Sequence, residues 1–209
     1  MKTIDPNQIP RILIGFSAMA ISLLLFFQNG APVPTIIAAA YLLVICAIDT
    51  IYSKIPNLCN LALLLAGLTY NIYQSGLAGA WHAFLGLAVG FSLLLIPYLM
   101  GGMGGGDVKA LGALGALLGP NEVFQVFLYI GMLGGVLAIL HYLFQKNLWQ
   151  KITGAGRALL AFVGTRDTQC IRPKVTEKLR FPYAASFAYG LFCYVNYGDV
   201  FSLLRKLLN

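Results

Sequence analysis

Apolar residues along this chain come in long blocks rather than on one stripe of each segment. Seven blocks stand out, at about 12–28, 35–52, 58–74, 81–100, 108–118, 122–144 and 183–198. A helix that is apolar all round is buried in protein or faces lipid. Crossing about 30 Å of hydrocarbon takes about 20 residues, which most of the blocks supply with their flanks. The block 108–118 covers only about half that depth at 1.5 Å per residue. It is expected to be a short helix enclosed by the others, where irregular ends are tolerated. Turn-forming residues punctuate the pattern: NGAPVP at 29–34, KIPN at 54–57 and GPN at 119–121. The predicted fold is all-α, a polytopic membrane helical bundle of six or seven spans. Residues 1–209 form one domain with a polar insertion at 145–182.

Composition strengthens this reading. Charged residues make up 10% of the chain and hydrophobic ones 59%, where a soluble domain carries about 25% charged residues. So few polar groups could not cover this much apolar surface in water, and a bilayer is the expected partner. Cys46, Cys59, Cys170 and Cys193 form no C-x-x-C pair, so neither a disulfide framework nor a zinc site is expected. His82 and His141 are far apart, and no Ser/His/Asp set stands out. No metal or cofactor is expected. Lys2 and Arg11 precede the first apolar run, but no small-x-small cleavage site follows it. That run is read as a retained helix.

Lysines and arginines orient the spans. The loops 29–34 and 75–80 hold none, 52–57 holds Lys54, and Lys109 follows a glycine run. The stretch 145–182 holds eight. With the N-terminus in the cytoplasm, every basic loop falls inside and the uncharged ones fall outside. Arg205 and Lys206 break the rule if the seventh block spans, unless 199–208 lies along the interface as an amphipathic helix. The net charge of +7 comes mostly from 145–182. A cytoplasmic loop beside anionic headgroups accounts for it, and no nucleic-acid partner is expected.

Of seven acidic residues, two lie where carboxylates are costly. Asp49 sits near the inner end of the second block, and Asp107 ends the run GGMGGGD at the inner end of the fourth. An ionisable group at membrane depth is a functional candidate. The plain alternative is a carboxylate at the interface, or one paired with Lys54 or Lys109. Two carboxylates on one side offer more. Close together they resist double ionisation and share a proton. One then activates water while the other polarises a carbonyl, as in aspartic proteases. Glycines before Asp107 leave room for an extended peptide. The run lacks the G-x-x-x-x-G-K-[ST] and G-x-G-x-x-G patterns of phosphate loops. Helix dipoles suggest an ordering: Asp107, at a helix N-terminus, holds the negative charge and Asp49 the proton. A small transporter, with both aspartates binding protons or cations, is the competing reading.

Gly104-Gly105-Gly106-Asp107 fits G-x-G-D, and with it the chain resembles the type IV prepilin peptidases, which are polytopic aspartic proteases. GGGDVKALGALGALLGP, Asp49 followed by KIPN, and the late FPYAASFAYG (181–190) extend the resemblance over about 35–195. The resemblance implies that Asp49 and Asp107 are the catalytic pair. It makes Gly104, Gly105, Gly106, Lys109, Pro56 and Asn57 the candidates for contact with substrate. It implies a pilin or pseudopilin precursor as substrate, cut behind a short basic leader at the cytoplasmic face of the bacterial inner membrane; a catalytically silent pilus-assembly subunit is a further competing reading. Bifunctional members carry an additional cytoplasmic domain with two C-x-x-C pairs and methylate the new N-terminus. Nothing of that size lies between the first two blocks, so N-methyltransferase activity is not expected, and the chain is similar to the compact peptidases of tight-adherence pilus systems.

Overall fold

The structure is a computed structural model that describes residues 9–99, 103–143 and 183–208. The basic stretch 145–182 lies outside the described residues. Seven helices run through the rest: α1 (Ile9–Phe26), α2 (Val33–Tyr52), α3 (Asn57–Leu99), α4 (Gly105–Leu118), α5 (Pro120–Leu143), α6 (Tyr183–Tyr197) and α7 (Val200–Leu208). Among the described residues each apolar block falls mostly within a helix. Of these described helices two, α2 and α3, are long and apolar enough to cross a membrane, and α1 contributes a shorter apolar stretch from Arg11 to Phe26.

The helix limits follow from local chemistry. Pro34 stands in the first turn of α2, where a missing N–H costs nothing. At its other end Ser53 takes the left-handed conformation, and its N–H closes on the Asp49 carbonyl at 2.9 Å. Pro56 cannot continue that helix, and α3 starts one residue later. The sequence suggests a loop at 75–80, but the break in α3 is confined to Gly76, at φ 56° and ψ −131°. Only glycine adopts that conformation readily, so one residue turns the chain back and 77–80 stay helical. Gly119, at φ 105°, separates α4 from α5 in the same way.

At the centre lies α4. Asp107, Val108 and everything from Ala110 to Leu117 are buried, in agreement with a short enclosed helix. Both arms of α3 pack on it through glycines. A Cβ on Gly67 would lie 2.7 Å from the Leu117 backbone, and one on Gly86 would lie 2.0 Å from the Gly115 carbonyl. Small residues of this kind let helix backbones approach closely where apolar burial gives little preference for one partner. Asn71 fastens the seam, its amide donating to the Ala116 and Leu117 carbonyls at 3.0 and 3.2 Å. These are carbonyls that the end of α4 leaves unpaired. The outer surface is apolar: Leu58, Leu65, Tyr73, Leu77, Phe84 and Leu99 are all exposed. A soluble monomer rarely exposes so much apolar surface.

Candidate active site

The ends of α2 and α4 meet at one end of the bundle. Asp49 occupies the last turn of α2 and Asp107 the first turn of α4, and both are buried. They stand close enough that the charge on Asp49 acts on Asp107. The folded chain therefore places the two carboxylates at the same end of the bundle.

Each carboxylate is held by backbone. The Gly104 N–H donates to Asp107 Oδ2 at 3.0 Å, and the Asp107 N–H donates back to the Gly104 carbonyl at 3.1 Å. This reciprocal closure is a capping box in which the glycine offers its carbonyl in place of a side chain. Across the site, the Ala184 N–H donates to Asp49 Oδ2 at 3.4 Å. Ala184 opens α6, so the FPYAASFAYG segment reaches the site by putting a helix N-terminus on Asp49. Phe181 and Pro182 of that segment lie outside the described residues. Both carboxylates accept from a helix N-terminus, so the dipole of α6 offsets the ordering that the ends of α2 and α4 favour.

The remaining sequence candidates divide. Gly104 is exposed beside the buried Asp107. A Cβ on it would come 3.2 Å from Asp107 Oδ2, so a side chain there would crowd the carboxylate. Gly106 packs against Ile55, with 3.3 Å from a built Cβ to the Ile55 carbonyl. Gly105 has ordinary room beside Tyr98. Unusual backbone angles play no part at Gly104, whose φ is −84°. Lys109 does not pair with Asp107. Its ammonium donates to Asn57 Oδ1 at 3.2 Å, on the exposed side. Lys109 and Asn57 thus tie α4 to the start of α3, and Pro56 ends the turn between α2 and α3 that brings Ile55 against Gly106.

Three residues passed over in the sequence belong to this arrangement. The Tyr41 hydroxyl donates to Asn60 Oδ1 at 2.6 Å, and Asn60 Nδ2 donates to the Gly106 carbonyl at 3.1 Å. This buried relay fixes the turn that carries Asp107. Arg11 of α1 donates to the Asp49 backbone carbonyl. Asn60 left a signal, since an amide inside NLCNLALLLAG needs a partner there. The sequence named no partner for it.

Among the described residues the chain is an all-helical bundle with an apolar surface and two buried aspartates at one end, which fits a membrane protein of an aspartate-pair class. The type IV leader peptidase family model matches residues 36–139, from the start of α2 into α5. The chain belongs to that family. It is 32% identical over 170 residues to the prepilin leader peptidase/N-methyltransferase of Burkholderia pseudomallei, covering 75% of this chain and 55% of the relative. To the proteins of the same name from Xanthomonas campestris pv. campestris and Neisseria gonorrhoeae it is 34% identical, over 122 and 110 residues. Those matches cover 54% and 49% of this chain, and 41% and 38% of the relatives. The chain spans about half the length of the curated relatives it matches. No solved structure matches it.

Proposed function

We propose that this protein is an aspartic endopeptidase that removes the basic leader from pilin-like precursors at the cytoplasmic face of the bacterial inner membrane, with Asp49 and Asp107 as its catalytic pair. The carrying observation is that two buried carboxylates lie at neighbouring ends of α2 and α4, near enough for the charge on one to act on the other. The names of the relatives support the same substrate class. In this reading six or seven helices span the bilayer, the turn at 53–56 faces the cytoplasm, and α7 lies along the interface with Arg205 and Lys206 toward water.

The chemistry follows from the pair. The charged carboxylate takes a proton from a water placed between the two, and the water oxygen attacks the scissile carbonyl. The protonated partner gives its proton to the carbonyl oxygen. The tetrahedral intermediate then collapses, the C–N bond breaks, and the departing nitrogen takes a proton from the pair. The products are a leader carboxylate and a new amino terminus. The Gly104 and Ala184 N–H groups keep the two carboxylates oriented through this cycle. Exposed Gly104 leaves the approach beside Asp107 open to an extended peptide. Only the short link 27–32 joins α1 to α2, which leaves no room there for a domain with two C-x-x-C pairs.

Co-expression with a pilin precursor tests the proposal, with leader loss read by intact mass. Wild type is expected to cleave. Asp49→Asn and Asp107→Asn should each lower the rate by about 10²–10⁴-fold, the usual worth of a general acid or base. Cleavage that survives either substitution would break the two-aspartate mechanism. No cleavage of several precursors by wild type would remove the peptidase reading.

A further inference from the structure

The first helix precedes the segment matched by the family model, yet it is built into the site. Gly15, Ala18, Ser22 and Leu25 are buried, at steps of three and four residues. These steps place them on one face of α1. Arg11 continues that face one turn toward the N-terminus. At Gly15 the helix lies directly against α2: a Cβ there would fall 2.0 Å from the Thr50 hydroxyl oxygen. Farther along, the Ser17 hydroxyl meets the Tyr189 hydroxyl of α6 at 2.6 Å. So α1 touches both elements that surround Asp49: the helix that carries it and the helix whose N–H holds its carboxylate.

We infer that Arg11 is a positioning residue for the aspartate pair, holding the C-terminal turn of α2 through the Asp49 carbonyl and setting a fixed positive charge beside the site. This inference rests on the peptidase reading above. The carbonyl of Asp49 belongs to the last turn of α2, where carbonyls outnumber intrahelical donors. A cation there complements the negative end of the helix dipole. Arg11 and Ser53 both donate to this oxygen, which fixes the backbone of the catalytic candidate itself. The guanidinium is also near enough for its charge to act on the Asp49 carboxylate. Arginine suits the role because it stays charged at every working pH and holds a planar fork of donors.

The test uses the full chain in membranes, with initial rates of leader cleavage measured across precursor concentrations. Arg11→Met keeps most of the stem and removes the charge. It should lower kcat by about 10–100-fold, the worth of a hydrogen bond to a charged group, and leave KM within about twofold, since no substrate contact is lost. Arg11→Lys should recover most of the loss, which a purely packing role would not produce. If Arg11→Met does not accumulate as folded protein, Arg11→Gln carries the same test, keeping a donor without the charge. Gly15→Val, which pushes α1 off Thr50, should reproduce the kcat loss although Arg11 is present. Wild-type kcat in the uncharged variants, or a loss that Arg11→Lys does not recover, would overturn the inference while leaving the peptidase intact. An inactive wild type would overturn the peptidase reading instead.

Discussion

Asn60 ties the turn before Asp107 to the neighbouring helices. Its amide bridges the Tyr41 hydroxyl on α2 and the Gly106 carbonyl before Asp107. Asn60→Leu leaves both groups buried without a partner, at a cost of about 1–3 kcal/mol. Its cleavage rate should fall even among folded molecules, because the Asp107 turn loses its tether. Thermal unfolding in detergent beside a cleavage assay reads both effects. Tyr41→Phe removes one hydrogen bond and should cost about 1 kcal/mol, with a smaller change in rate. An Asn60→Leu variant with wild-type rate would mean that the turn holds its own geometry. Asp49 and Asp107 stood out as candidates in the sequence because carboxylates beside long apolar segments need a reason. The relay was not legible, because Tyr41 and Asn60 sit 19 positions apart on different helices. An isolated tyrosine or asparagine does not announce its acceptor.

At the scale of elements, α4 is held by close backbone contact with α3 as well as by its buried side chains. The arms of α3 approach it at Gly67, Gly86 and Gly90, each of which would place a Cβ within 2.7 Å of an α4 backbone atom. Gly86→Val should therefore separate α3 from α4 and cost about 1–3 kcal/mol or more, read as a lowered unfolding temperature. Activity should fall with it, since α4 carries Asp107. Ordinary stability in Gly86→Val would show that the seam is looser than this contact implies. The helices themselves were visible as apolar blocks, and the short central helix was expected from its length. The turn within α3 was placed at 75–80, whereas it narrows to Gly76. Composition marks a break across several polar and small residues, but the backbone turns where positive φ is cheapest.

For the whole molecule, the charge pattern and the fold agree on one end as the chemical end. Lys54, Lys109 and both aspartates gather where α2 ends and α4 begins. Reporter fusions in full-length chains should locate 54–57 in the cytoplasm, and Gly76 and Gly119 on the opposite side. A cytoplasmic reporter at Gly76 would refute this orientation. The basic stretch 145–182 is expected to face lipid headgroups rather than a basic leader, which it would repel. Neutralising Arg172, Lys174, Lys178 and Arg180 should then leave leader cleavage within about twofold of wild type. A large rise in KM for the precursor would instead make that stretch part of the binding surface.

The sequence by itself determined the class of molecule, the helical segments and the two acids, because hydropathy and the cost of buried charge act locally along a chain. It also carried the G-x-G-D resemblance, which is a contiguous string. Only the tertiary structure decided what surrounds each aspartate. It put the N-terminus of α6 on Asp49, turned Lys109 toward Asn57 rather than Asp107, and brought Arg11 of the first helix to the Asp49 carbonyl. Those partners come from separate helices. Their pairing depends on how glycine seams and single-residue turns stack the helices, and linear order does not encode that arrangement in any local pattern.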